Sequence, residues 1–432
     1  MFEKLYRYLN DEKKERVCTD ISEKACEHVP RNYFLILISS VFIKLGDTLS
    51  NPKTVLTWLM SYVSAPVYLI SLIVPIRESG SMVPQILLST YVNRQAIRKW
   101  IWVVGALLQF IAIASIGFIT LYFEGTTAGW LIIAAVVIFS ISRSLSSLSS
   151  KDVTGKSIPK TRRGRLKGYT VSVSGVLVLA TGLYILYTSK SDADIWFYSW
   201  LIFLAATTWL IAAIVYAKIK EFPGEVETEK EATKSIFSKF SLLKTDTQFR
   251  NFVIARSLLL CSALTAPYYV LLAQKYVGKE SYLLGLFIIA KGIASIVSSP
   301  TWGKLADKSS KNVMAFAVFI ASILGIIIFC VVSYAETFRD TNWLYPIAFF
   351  ILGIAHEGVR MGRKTYVVDM ATGNDRTNYV SVSNTLIGLI LLVTGGLSAL
   401  VSLISIEGVI LVLSVFGILG AYKSYQLPNV EK

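Results

Sequence analysis

Gly303-Lys304-Leu305-Ala306-Asp307-Lys308-Ser309-Ser310-Lys311 closes one long apolar run and opens onto another. A basic turn in the same setting occurs earlier, at Ser89-Thr90-Tyr91-Val92-Asn93-Arg94-Gln95-Ala96-Ile97-Arg98-Lys99. An offset of 213–214 residues brings the two turns into register. It also sets Arg77 against Lys291, each near the centre of an apolar run, Arg143 against His356, and Arg163 against Arg376. An offset of 219 aligns Arg31-Asn32-Tyr33-Phe34 with Arg250-Asn251-Phe252-Val253. The chain reads as two copies of one unit, with ionisable residues at matching places inside apolar segments.

Composition names the solvent of those segments. The 432 residues are 54% hydrophobic and 16% charged, too little polar surface for a soluble protein of this size. A hydrocarbon core about 30 Å thick needs roughly 20 apolar residues per helix. The chain holds twelve such runs, near 31–52, 65–91, 100–123, 128–149, 167–188, 195–218, 250–274, 281–303, 313–334, 343–364, 379–402 and 407–426. Helices are expected, because every backbone polar group must be satisfied within lipid and the runs do not alternate as barrel strands do. The expected fold is all-α: twelve transmembrane helices in two pseudo-symmetric six-helix bundles.

The net charge of +15 invites a nucleic-acid reading, but its distribution opposes one. Of 43 Lys and Arg, 31 fall on one side of these spans and five on the other, at Lys53, Lys190, Lys275, Lys279 and Arg339; seven lie within spans. That asymmetry is the positive-inside pattern. It predicts a multi-pass protein of the inner (cell) membrane with both termini cytoplasmic and no nucleic-acid partner. Trp100, Trp102, Trp130, Trp196 and Trp343 fall at span ends, as interfacial belts do.

The organisation follows. Residues 1–30 form a charged cytoplasmic segment, in which Asp20 and Glu23 mark a helix start and Phe2, Leu5, Tyr6 and Leu9 form an apolar stripe suited to the inner membrane surface. Residues 31–218 hold the first bundle, 219–249 a polar cytoplasmic linker, 250–426 the second bundle and 427–432 a tail. Cys18 and Cys26 lie on the reducing side, so no disulfide is expected. Two histidines, His28 and His356, cannot build a metal site alone, and no phosphate-binding glycine loop or catalytic triad is present. No cofactor, metal or enzymatic activity is expected.

The Gly303–Lys311 turn resembles the signature loop of the major facilitator superfamily, Gly-x-Leu-Ala-Asp-Arg-x-Gly-Arg-Lys, and lies after the eighth span, where that family carries its second copy. The Ser89–Lys99 turn sits at the first copy's place but has lost both glycines and the acid. With the span count and the repeat, the resemblance covers about residues 31–426. It implies a monomer working by alternating access and a cytoplasmic gate at Gly303, Asp307 and Lys308, with Asn93 and Arg94 as a weaker counterpart. An acid at a span's end can pair with a base; Asp307 has Arg363, Lys364 or Arg376 to choose from. The fifth span, Gly175 to Gly182, lacks the proline and paired glycines of proton-driven drug exporters.

Buried charge locates the chemistry. Lys44 and Asp47 share a helical face and can pair. Arg77 and Glu78 are adjacent, so their side chains point about 100° apart; Arg77, whose repeat mate is also basic, is expected to face the cavity and Glu78 a neighbouring helix. Arg143 and His356 form the second symmetric pair, and Glu357, Arg360 and Arg363 make the tenth span the most polar. Tyr268 and Tyr269 follow Pro267, which can break the seventh span. Arg77, Lys291, Arg143, Lys44, Tyr268, Tyr269 and Arg360 are the expected substrate contacts; Asp47, Glu357, His356 and Glu78 are the expected proton carriers. The basic surplus favours a small organic anion or zwitterion moved with protons. Two other readings stay open: an exporter of amphipathic drugs or lipid-like molecules, and a non-transporting receptor or assembly subunit whose partner surface is the N-terminal segment.

Overall fold

The computed structural model describes residues 2–10, 21–188, 194–224, 226, 241–370 and 375–430. Lys190, Cys18, Asp20 and most of the linker lie outside these, as does the side chain of Arg376. The described residues form helices and the turns between them, with no strand among them. Ten helices are long and apolar enough to cross a membrane by themselves. The second span misses that criterion because its helix is 16 residues long, and the tenth because it carries charges of the site; with them the crossings number twelve.

The first half comprises α1 (Phe2–Asn10), α2 (Glu23–Glu27), α3 (Val29–Leu49), α4 (Val55–Tyr62), α5 (Val67–Met82), α6 (Gln85–Asn93), α7 (Lys99–Tyr122), α8 (Gly125–Ser157), α9 (Lys160–Thr188) and α10 (Ile195–Ala217). The second comprises α11 (Leu242–Thr245), α12 (Thr247–Leu258), α13 (Cys261–Leu264), α14 (Ala266–Tyr276), α15 (Ser281–Tyr334), α16 (Glu336–Arg339), α17 (Leu344–Met370), α18 (Asp375–Ser402) and α19 (Ile406–Tyr425). The long α15 is two spans: Ser309, extended at φ −164°, interrupts it within the quoted basic turn.

The first span corrects the sequence reading. It does not end at 52 but continues through α4, with a break at residues 50–54. Pro52 has no N–H to give a helical ladder. The Asn51 side chain instead accepts from the Lys53 N–H at 3.0 Å, and Thr57 Oγ1 donates to the Pro52 carbonyl at 2.7 Å. Lys53, expected in an outer loop, therefore sits inside the bundle. The seventh span breaks at the equivalent place, between α12, α13 and α14, with Pro267 at the start of α14. Broken helices at matched positions of two repeats are the architecture of a carrier's central site.

Two seams join the halves. At one, α5 packs on α18; at the other, α9 packs on α15. Both need close backbone approach, supplied by residues without a side chain. A Cβ on Gly395 would lie 2.1 Å from Pro75 Cγ, and one on Gly182 would lie 2.8 Å from Ile289 Cγ1.

The N-terminal helix is also corrected. Part of its stripe packs on its own bundle: Tyr6 is fully buried, edge-on to Tyr33 with ring centroids 5.2 Å apart, and Leu9 packs beside it, while Leu5 is exposed. Arg162 Nη1 and Tyr169 Oη of α9 donate to the Asn10 and Leu9 carbonyls at 2.6 and 3.1 Å. Helix α2 is capped by Ser22, which accepts from the Ala25 N–H; Asp20 lies outside the described residues. Cys26 is disulfide-bonded, against the expectation of free thiols; Cys261 and Cys330 are free. Trp102 is 5% exposed and stacks on Tyr216 at 3.7 Å, so it is core, whereas Trp100, Trp130, Trp196 and Trp343 are all more than half exposed.

Candidate functional site

A cavity of about 440 Å³ lies between the halves at the level of the helix breaks. On the side away from the termini it is closed by contacts between the halves. Gln274 Nε2 donates to the Trp58 carbonyl at 3.3 Å, Lys279 Nζ to the Ser61 carbonyl at 2.8 Å, and Tyr198 Oη to the Lys279 carbonyl at 3.3 Å. Towards the termini the lining runs on through Gln85, Ser147 and Arg363, so the cavity opens on that side.

The structure brings most of the expected residues together. Asp47, Arg77, Glu78, Arg143, Lys291, His356, Glu357, Arg360 and Arg363 all line this cavity. Asp47 is the hub of the first half: it binds Arg77 Nη2 at 3.3 Å and makes a short ion pair with Arg143, which also reaches Gln109 at 3.4 Å. The Arg77 guanidinium stacks over Phe139 at 4.3 Å. In the second half Arg360 Nε donates to Glu357 at 2.8 Å and Nη2 makes a shorter contact to the same oxygen; Ser295 also reaches Glu357, at 3.4 Å.

Four expectations are corrected. Lys44 neither pairs with Asp47 nor lines the cavity, because two guanidiniums already hold that carboxylate. Arg77 and Glu78 both face the cavity: it wraps more than 100° of α5, so Arg77 points at its own half while Glu78 lies among Lys53, Arg363 and Lys291. Tyr268 and Tyr269 are fully buried and do not line it; α14 turns them into the packing beneath. Arg363 faces the cavity and makes no ion pair with Asp307, which is exposed in this conformation.

The sequence reading missed two cavity bases. Lys53 Nζ lies 3.2 Å from His356 Nε2, across the halves, and His356 Nδ1 lies 3.3 Å from Ser262 Oγ. Arg256 is buried, giving Nη1 to Ser383 Oγ at 2.5 Å and Nη2 to Asn384 Oδ1 at 2.8 Å. Pro52 beside Lys53 was the available signal for the first; nothing in the local sequence singles out the second. A third miss lies where the first signature loop has lost its acid. Arg98 pairs with Asp152 at 2.6 Å, Lys156 bridges Asp152 and Glu221, and Glu221 accepts from the Arg98 and Lys99 backbone N–H groups. Lys99 and Lys311 play matching parts, capping the last helix of each half through the Ile219 and Leu427 carbonyls at 2.7 and 2.8 Å.

Two six-helix bundles, broken helices in each and a polar cavity between them define a membrane carrier. A family model described as Major Facilitator Superfamily matches residues 35–338 and 280–429, and the chain belongs to that family of membrane transporters. The fold is similar to a D-xylose-proton symporter (TM-score 0.71, 13% identity, 92% of this chain and 98% of the other). It is also similar to a POT family transporter solved with a thioalcohol-conjugated peptide (TM-score 0.72, 11% identity, 91% and 95%). A third match is the nucleoside transporter NupG (TM-score 0.67, 13% identity, 92% and 99%). No curated protein matches the chain in sequence.

Proposed function

We propose that this protein is a secondary active transporter that moves a small organic anion or zwitterion across the cell membrane by alternating access, with both termini cytoplasmic and with protons as the coupling ion. The observation that carries the reading is the charge of the cavity. Lys53, Arg77, Arg143, Arg256, Lys291, Arg360 and Arg363 line it against only Asp47, Glu78 and Glu357. Uncompensated cations in a site screened from water are expensive, and an anionic solute offsets that cost. The amphipathic-exporter reading relied on an aromatic cavity, and Tyr268 and Tyr269 do not line it. The receptor reading relied on a free N-terminal segment, and α1 is docked on its own bundle.

His356 supports proton coupling. An ammonium only donates, so its contact with Lys53 uses a neutral imidazole with its lone pair on Nε2. A proton on that nitrogen turns an attraction between the halves into a repulsion. The test is a thermal-shift screen of the detergent-purified protein with anionic, zwitterionic, neutral and cationic amphipathic solutes, since a ligand of the folded state raises the melting temperature. Stabilisation by anions or zwitterions that is lost in Arg77→Gln or Lys291→Gln supports the proposal. Stabilisation by cationic amphiphiles alone, retained in both variants, sinks it.

A further inference from the structure

Arg256 is held unlike the other arginines of the cavity. Asp47 holds Arg77 and Arg143, and Glu357 holds Arg360. Arg363 lines the cavity without a hydrogen bond or ion pair among the described residues, so nothing fixes its direction. Arg256 is fixed but not neutralised. It lies on α12 two residues before that helix ends at the break, and it is 5% exposed. Its Nη1 donates to Ser383 Oγ at 2.5 Å and its Nη2 to Asn384 Oδ1 at 2.8 Å, both on α18. Neither partner carries charge, and Arg256 makes no ion pair among the described residues although it lines the cavity.

A guanidinium has five N–H groups in a planar fork and keeps its proton throughout the physiological range. Burial therefore cannot neutralise Arg256 as it could a lysine. Ser383 and Asn384 take only two of its N–H groups, and Nε is buried with no partner. A buried charge without a counter-charge is costly, and a neutral glutamine could tie α12 to α18 at lower cost. The arrangement fits a binding group better than a strut. Two neutral side chains orient the fork, and its charge is left for a ligand. A group held ready in this way loses little freedom when its partner arrives. One cationic fork with neutral partners balances one negative charge. A carboxylate carries one at neutral pH, whereas a phosphomonoester carries about 1.5 to 2.

We infer that Arg256 anchors the carboxylate of the transported solute, with Ser383 and Asn384 as the residues that position its fork. This rests on the anion reading above and deepens it. Of the seven cavity bases it assigns the anionic group to one, and among anions it selects those with a planar, singly charged end. Arg256, Ser383 and Asn384 all belong to the second half, so the carboxylate stays with that half.

The experiment follows the melting temperature of the full-length purified protein against increasing acetate, lactate and benzoate at constant ionic strength. Chloride, inorganic phosphate and methyl lactate are the spherical, multiply charged and uncharged comparisons. We expect at least one carboxylate to stabilise the parent beyond all three. Arg256→Gln should weaken that carboxylate's apparent affinity roughly tenfold or more, about 1.4 kcal/mol. Its melting temperature without the anion should stay the same or rise, because an uncompensated charge has gone. Arg256→Lys should lose the preference for carboxylate over chloride, since the charge remains and the fork does not. A lower melting temperature in Arg256→Gln with carboxylate affinity unchanged makes Arg256 a structural tie and overturns the inference. If Arg256→Gln does not fold, Arg256→Lys decides: an unchanged preference for carboxylate over chloride overturns it. Loss of carboxylate binding in Lys291→Gln but not in Arg256→Gln overturns it and leaves the anion reading standing, as does a parent that phosphate stabilises more than any carboxylate. A parent that no carboxylate stabilises beyond chloride overturns the inference outright. Stabilisation by methyl lactate as strong as by lactate overturns both readings.

Discussion

One ammonium nitrogen decides how the halves meet at the floor of the cavity. Lys53 leaves a broken helix of the first half and reaches His356 of the second at 3.2 Å, and His356 leans on Ser262 behind it. Lys53, Lys291, Arg360 and Arg363 share the cavity with the imidazole, as do Asp47, Glu78 and Glu357, so a proton on Nε2 would face the Lys53 ammonium directly. Acidification should therefore loosen the closed side. With spin or fluorescent labels on the two halves at the mouth away from the termini, lowering the pH should lengthen the inter-half distance. His356→Leu should abolish the response, and Lys53→Met should leave it smaller than in the parent. A pH response unchanged in His356→Leu would remove this residue from the coupling mechanism. Much at this scale was legible before any coordinates. The repeat offset singled out Arg77, Lys291, Arg143 and His356, and all four line the cavity. Lys53 was not legible, because a Pro-flanked polar residue after an apolar run has the same local sequence in a loop and in a mid-membrane break. Arg256 was not, because nothing in a helical sequence says which neighbour's hydroxyl will meet a guanidinium.

Among the elements, the seams between the halves carry the strictest steric demand. On α18, adjacent glycines have opposite surroundings: a Cβ on Gly395 would meet Pro75 Cγ at 2.1 Å, while one on Gly396 meets nothing within 4 Å. Overpacking a tight contact typically costs about 1–3 kcal/mol, whereas replacing an unconstrained helical glycine gains up to about 1 kcal/mol of propensity. Gly395→Leu should thus lower the melting temperature of the purified protein, and Gly396→Leu should leave it unchanged or slightly higher. Equal losses in both would mean that α5 and α18 do not approach as closely as described. The sequence disclosed that these spans exist and where their apolar runs lie. It did not disclose that the first span continues past Pro52, since hydropathy registers apolar length rather than backbone continuity. Nor did it disclose that Arg98, Asp152, Lys156 and Glu221 rebuild an ionic cluster where the first signature turn has lost its acid. That cluster draws on three separate elements, and only the fold brings them together.

For the whole molecule, the two mouths of the cavity are in opposite states. Away from the termini, Trp58, Ser61 and Tyr198 of the first half meet Gln274 and Lys279 of the second. On the termini side Asp307 stands exposed without an ion pair among the described residues, and Gln85, Ser147 and Arg363 line an open route. The two observations explain each other if the halves rock as bodies about the α5–α18 and α9–α15 seams, so that closing one mouth opens the other. Asp307 and its basic neighbours are then a latch seen released. The rocking makes a joint prediction about two positions. In a background whose native cysteines are replaced, a cysteine at Ser147 should react with a membrane-impermeant thiol reagent applied from the termini side, and one at Ser61 should react slowly from either side. A solute that shifts the population towards the opposite state must move both rates, in opposite directions, because a ligand shifts an equilibrium only by its differential affinity for the two states. If Ser147 becomes protected while Ser61 stays slow, the solute has merely plugged the cavity. If both become reactive together, the halves separate rather than rock, and the seams cannot be the axis of the motion.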